Sequence, residues 1–117
     1  MTYVDGFVAA VPAENKEAYL EHARVTSPVF KKYGALRVMD NWGVDVPDGE
    51  VTSFPMAVKA EPGEVIVFSW IEWPSKEARD KGMEQCMADP VFNDEDMTMP
   101  FDGQRMLIGG FETILEE

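Results

Sequence analysis

Apolar and polar positions alternate or cluster along the chain in a way that marks out six elements. Runs of β-branched, aromatic and other apolar residues predict strands at residues 3–11, 36–44, 64–73 and 105–115. Apolar residues at helical spacing predict one helix from Pro12 to Gly34 and a second over residues 76–88. The predicted order is βαββαβ, in a single domain of residues 1–117.

Proline and glycine give these elements further detail. Gly34 is expected to end the first helix as a left-handed cap, and Pro28, which has no backbone N–H, to kink or interrupt it. Gly103 is expected to take a positive φ in a turn before the last strand. Gly109 and Gly110 would permit a bend or bulge there and the close approach of another backbone.

The order βαββαβ is typical of an α+β, ferredoxin-like subunit, with a four-stranded antiparallel sheet and both helices on one face. The other face of such a sheet is normally polar, yet here both parities are apolar: Val65 and Val67 alternate with Ile66 and Phe68. A bare apolar face of that size is unusual on a monomer. We therefore expect a homodimer in which two sheets pack face to face as a dimeric α/β barrel.

Charge and cysteine content restrict the binding partners and the cellular compartment that are expected. The net charge is −12, so phosphate backbones and anionic membranes are repelled, and neither a nucleic acid nor a membrane partner is expected. The single cysteine, Cys86, lies on the predicted buried stripe of the second helix, as an inert small hydrophobe would. One cysteine and an N-terminus without a signal-peptide pattern predict a cytoplasmic protein.

The chain shows no motif for a metal or a cofactor. His22 is the only histidine and has no cysteine near it, so a structural or solvent-facing role is favoured over metal binding. The acidic run at residues 93–96 lacks the alternating ligands and central glycine of a calcium loop. We expect no metal and no cofactor.

Polar or bulky aromatic residues within apolar strands are the remaining candidates for a site, because a buried charge is costly unless it is paired. The group consists of Asp5, Asp40, Asn41, Trp42, Ser69, Trp70, Glu72 and Arg105. The first strand should lie between the third and fourth strands in this topology. We therefore expect Asp5 and Glu72 to pair with Arg105.

Two hypotheses follow for these residues. In the first, an apolar cavity between sheet and helices binds a small aromatic or carbonyl compound, and a carboxylate or histidine serves as acid or base. Its ligand contacts would be Trp42, Trp70 and Arg105, with several methionines, and its acid–base candidates Asp5, Glu72 and His22. In the second, large side chains fill the barrel interior, the ion pairs are structural, and the dimer is a non-enzymatic binding or structural protein.

Four motifs in order carry a resemblance to a known family: YVDGF at residues 3–7, FSWIEWPSKEARD at 68–80, MADP at 87–90 and MPFDGQRMLIGGF at 99–111. Over nearly the whole chain the sequence resembles domain-of-unknown-function family 1428, small and mostly bacterial proteins. That family is similar in fold to the dimeric α/β-barrel superfamily, which includes cofactor-independent quinol monooxygenases, lactone isomerases and haem-dependent relatives. The resemblance implies the fold and the dimer, and allows a monooxygenase-like or isomerase-like activity. It carries over no catalytic residue.

Overall fold

A computed structural model describes residues 1–117 and shows one four-stranded antiparallel sheet. The strands are β1 (Tyr3–Pro12), β2 (Arg37–Trp42), β3 (Glu64–Trp73) and β4 (Leu107–Glu112). The helices are α1 (Lys16–Lys32), the short α2 (Phe54–Ala57) and α3 (Lys76–Met87). The strand order is β2-β3-β1-β4, so the predicted place of the first strand between the third and fourth is confirmed.

The long helices begin and end at residues that stabilise their termini. The Ser75 hydroxyl accepts from the Ala78 N–H at 3.0 Å and so caps the start of α3. Gly34, just beyond α1, has a φ of +116°, which confirms the predicted left-handed cap. The predicted interruption at Pro28 is wrong, because α1 runs through it. Pro28 lies on the exposed side of the helix, where water can bond the carbonyl that loses its partner.

The turn before β4 differs from the prediction. Gly103 does not have a positive φ. It begins a 3₁₀ turn instead, in which the Asp102 carboxylate accepts from the Gln104 N–H at 3.0 Å. This aspartate cap supplies the turn geometry, and the left-handed conformation of a glycine is not needed.

The double glycine of β4 makes no bulge. β1 and β4 pair continuously through Asp5–Gly110 and Gly6–Gly109. A β-carbon at Gly110 would overlap the Tyr3 hydroxyl and a nitrogen of Arg79. Within the chain, Gly110 is therefore approached by side chains, and the expected close approach of another backbone at the double glycine stays a prediction.

One face of the sheet is covered by α1 and α3. Trp73, Val11 and Cys86 are fully buried there. A β-carbon at Gly82 of α3 would overlap the Trp73 indole, so glycine at this position allows the helix to lie close to the sheet. This face holds most of the core.

The opposite face is covered over only part of its area. Residues 43–63, between β2 and β3, fold back so that the fully buried Val58 packs on Ala10 and Ile66. The rest is bare, and its side chains include Phe68 and Phe111, which are 45% and 62% exposed. The bare part, called the open patch below, consists of Phe68, Trp70, Leu107, Gly109 and Phe111.

None of the helices has the length and apolar character required to cross a membrane.

Candidate functional site

A cavity of about 550 Å³ lies between the helix-covered face of the sheet, α1, α3 and residues 92–106. Sixteen of its 22 lining residues are hydrophobic, which suits a ligand with an apolar body. Its methionines are flexible and polarisable, and so can adapt to an irregular ligand. They are Met83, Met87, Met97, Met99 and Met106. Aromatic rings form much of the remaining wall: Phe7, Tyr19, Phe30, Phe92 and Phe101.

One wall of the cavity carries a polar cluster. Asp40 and Ser69 are partners in the β2–β3 register, and the Ser69 hydroxyl donates to Asp40 Oδ1 at 2.7 Å. Tyr19 of α1 donates its hydroxyl to the same carboxylate oxygen at 2.6 Å, and the two hydroxyl oxygens lie 3.2 Å apart. Asp40 Oδ1 accepts both of these hydrogen bonds. The lone pairs of the two hydroxyl oxygens and the second carboxylate oxygen of Asp40 therefore stay available as acceptors.

The cavity shifts the pKa values of two of its side chains. Burial, and then the hydrogen bond to Asp40, raises the pKa of Tyr19 well above its ordinary value. Burial also lowers the pKa of His22, and the negative charge of Asp40 opposes that shift only in part. At neutral pH, Tyr19 therefore keeps its proton and His22 is neutral, with one donor and one acceptor nitrogen.

Asp5 lies outside the cavity, in a buried ion pair. Arg79 Nε is 3.4 Å from Asp5 Oδ1, and the Trp73 indole N–H donates to Asp5 Oδ2 at 3.0 Å. Arg79 also donates to the Tyr3 hydroxyl at 2.7 Å, although its Nε has no hydrogen-bond partner. Burial raises the pKa of Asp5, and the charge of Arg79 opposes that shift. This is the geometry of a structural ion pair.

The predicted pairing of Asp5 and Glu72 with Arg105 is wrong. Arg105 instead forms a bidentate pair with Glu64, at 2.8 and 2.7 Å, and its Nε lies 3.1 Å from the Asp102 carboxylate. The reason is the antiparallel register, which places the start of β1 beside the end of β4 and thus far from Arg105.

Glu72 and the two predicted tryptophans lie largely away from the cavity. Glu72 pairs with Arg37 at 3.2 Å and accepts from the Trp70 indole N–H at 2.9 Å. Trp70 borders the cavity, but its ring lies 5.5 Å from that of Phe68, with which it shares the opposite face. Trp42 packs against Ala9, Val11 and Val67 and does not line the cavity.

Of the predicted acid–base candidates, only His22 lines the cavity, and its catalytic role stays a prediction. The structure adds Tyr19, which was not among the site residues predicted from the sequence. Asp40 and Ser69 were in the wider group of polar strand residues. The spacing of Tyr19 and His22, three residues apart on one helix face, could have indicated Tyr19. The pairing of Asp40 with Ser69 depends on a strand register that only the structure supplies.

Cys86 and the acidic side chains supply no further reactive site. Burial raises the pKa of Cys86 to about 11, and its thiol lies 3.8 Å from the Val29 carbonyl, which is the environment of an unreactive cysteine. No three His, Cys, Asp or Glu side chains are grouped in a way that could hold a metal ion.

The chain belongs to the family described as "Protein of unknown function (DUF1428)", whose model matches residues 2–103. It is 57% identical over 117 residues, the full length of both chains, to "Uncharacterized protein YbaA" of Escherichia coli K12 and of Shigella flexneri. Among solved structures it is similar to a dimeric ferredoxin-like protein from an uncultured marine organism. The TM-score is 0.62 at 12% identity, over 99% of this chain and 98% of that chain. The ferredoxin-like α+β fold is thereby confirmed.

Proposed function

We propose that the chain, acting as one domain, binds a small, largely apolar molecule with an aromatic ring, one in the cavity of each subunit. The observation that carries this proposal is the apolar cavity of about 550 Å³ with one polar cluster on its wall. Ligand sites commonly have volumes of roughly 300–1,000 Å³ and combine an apolar lining with a few placed polar groups. A filled interior, the alternative from the sequence, would leave no such space between sheet and helices.

The surroundings of the cavity support an entry route from solvent. A shallower pocket on the surface shares His22, Asp94 and Met97 with the cavity. We infer that the mouth of the cavity lies between α1 and residues 94–100. A ligand entering there would keep its apolar body against the methionines and direct its polar group to Tyr19, Asp40 and Ser69.

We also propose that two subunits pair through the open patch as a dimeric α/β barrel. Only 18 of 117 residues are buried in one subunit, which is a small core for this length, and the bare residues of the patch are apolar and lie on β3 and β4, the strands on either side of β1. Two such patches facing each other across a two-fold axis would cover one another. The similar marine protein is described as dimeric, which supports a homodimer.

The cellular setting belongs to the proposal as well. A single free and buried cysteine, Cys86, suits the reducing cytoplasm. The net charge of −12 disfavours nucleic acids and anionic membranes as partners. We therefore propose a cytoplasmic homodimer with a small-molecule ligand.

The binding proposal is tested by chemical-shift mapping with 2-naphthalenemethanol as the probe. We expect saturable shifts at backbone amides of cavity-lining residues. Ala23 lines the cavity, so Ala23→Trp fills it and should abolish these shifts. Ala13, exposed in the turn before α1, gives the control Ala13→Trp, which should keep them. Shifts centred elsewhere, or shifts that survive Ala23→Trp, would contradict the proposal.

The dimer is tested by light scattering on the purified protein. Phe111→Glu places a charge in the open patch and should yield monomers, because a buried unpaired carboxylate is costly. Val51, 96% exposed and outside the patch, gives the control Val51→Glu, which should remain dimeric. A monomeric wild type would exclude the pairing.

A further inference from the structure

The charges that line the cavity are all of one sign. Asp40 and Asp94 are among the lining residues, and no lysine or arginine is. Neither carboxylate forms an ion pair with a basic side chain of the chain. The net charge of −12 adds to the negative potential at the mouth. An anionic ligand would find no counter-charge there.

The hydrogen-bonding groups at the polar wall are mainly acceptors. Tyr19 and Ser69 direct their protons to Asp40, which leaves oxygen acceptors facing the ligand. His22, neutral because burial lowers its pKa, is the one aromatic ring with an N–H to offer at this wall. The ligand group that satisfies this wall is a strong donor.

The apolar wall is also suited to a cation. Two aromatic pairs line the cavity: Tyr19 with Phe101, at a centroid distance of 6.0 Å, and Phe30 with Phe92, at 5.4 Å. Ring faces attract a nearby cation more strongly when water is excluded. Methionine sulfur is polarisable and packs readily on aromatic ligands.

We propose, on the basis of the binding function above, that the ligand is a hydrophobic amine with an aromatic body. Its ammonium group pairs with Asp40 and donates to the oxygens of Tyr19 and Ser69, and its ring lies among the methionines and aromatic side chains. A carboxylate or phosphate on the same body is disfavoured, because it meets the like charges of Asp40 and Asp94 and no lysine or arginine in the cavity.

The test compares three probes with one ring system: 2-naphthylmethylamine, 2-naphthalenemethanol and 2-naphthoate. Dissociation constants are measured by calorimetry on the full-length wild type at pH 7 and low salt, where an alkyl amine is protonated and a carboxylate ionised. We expect the amine to bind about tenfold more tightly than the alcohol, and the naphthoate to bind most weakly, since a single unscreened charge pair commonly accounts for such a factor. Added salt should reduce the advantage of the amine.

Two variants test whether the preference for the amine comes from the Asp40 carboxylate. Asp40→Asn keeps an acceptor oxygen but removes the charge, and it should bring amine and alcohol to within about twofold of each other. Asp45→Asn removes the same charge outside the cavity and should leave the ratio unchanged. Naphthoate or alcohol binding at least as tightly as the amine in the wild type would overturn the amine proposal alone. Absence of binding by all three probes would overturn the binding function itself, and the amine proposal with it.

Discussion

Asp5 and Asp40 stand on strands of the same sheet and point to its helix-covered face, yet only one of them meets a basic group. Asp5 lies 3.4 Å from the Arg79 guanidinium and accepts from the Trp73 indole. Asp40 accepts hydrogen bonds from two neutral hydroxyl groups at the edge of an apolar cavity and has no ion pair. Asp5 is buried, whereas Asp40 is exposed to solvent.

The difference separates a structural carboxylate from one that is available to a ligand. A buried charge must be paired within the protein, and the pair then has little capacity for another partner. A charge held by neutral donors keeps most of its negative potential. Polarity within a strand therefore does not identify a site, whereas the lack of an internal counter-charge next to a cavity does.

The largest expected effect comes from neutralising each aspartate with the isosteric amide. Asp5→Asn keeps one acceptor oxygen for two donors, the Trp73 indole N–H and the Arg79 guanidinium, and should lower the free energy of unfolding by about 2 kcal/mol, because one donor then faces an amide NH2 group and is left unsatisfied. Asp40→Asn keeps its acceptor oxygen and should cost less than about 1 kcal/mol. Urea unfolding monitored by tryptophan fluorescence measures both. Equal losses would remove the distinction between the two carboxylates.

A smaller effect is expected from the tyrosine in each cluster. Tyr3 accepts from Arg79 at 2.7 Å, and Arg79 already has a buried Nε without a partner, so Tyr3→Phe leaves a second nitrogen unsatisfied. Tyr19→Phe removes a donor from Asp40, which water can reach. We expect Tyr3→Phe to be the more destabilising by about 1 kcal/mol in the same unfolding experiment. The reverse order would indicate that the polar wall of the cavity, and not the Arg79 cluster, stabilises the fold.

The fold was predictable because its signals are local. Strand β3 was predicted with the bounds observed, Glu64–Trp73, since ten residues rich in β-branched and aromatic side chains are followed by the helix cap Ser75. The apolar residues at both parities of the strands predicted that a second subunit covers the other face of the sheet. In one subunit, residues 43–63 cover part of that face, and the pairing of two subunits stays a prediction. The short helix α2 was missed because four residues carry too little periodicity.

The candidate site was predictable only in part, because it depends on register and on contacts distant in sequence. Arg105 was placed beside Asp5 from strand order alone, but the register brings it to Glu64 instead. Tyr19 and Asp40 are 21 residues apart, and only the packing of α1 on the sheet brings them together. Composition and spacing could identify the residue types of the site but could not determine these contacts.

The smallest effect, a difference in titration, compares Asp5 with Asp89. Burial raises the pKa of Asp5, so the native state takes up a proton there at a higher pH than the unfolded chain does. Its stabilising contribution is thus present at low pH and is lost as the pH rises through the native pKa. Hydrogen bonds from the Val91 N–H and the Tyr33 hydroxyl lower the pKa of Asp89, so its contribution is present at higher pH and is lost on acidification.

Carbon-13 titration of the side-chain carboxyl groups should therefore give midpoints on opposite sides of the ordinary aspartate value of about 3.9. In unfolding experiments at acid pH, Asp89→Asn should reduce the rise of stability with pH. The rise that comes from the lowered pKa of Asp89 is lost when an amide replaces the carboxyl group. Asp5→Asn should steepen that rise, since a term of the opposite sign is removed. A midpoint for Asp5 below the ordinary value would mean that Arg79 outweighs burial. Asp5 would then be a stabilising ion pair at neutral pH, and its contrast with the unpaired Asp40 would be sharper still.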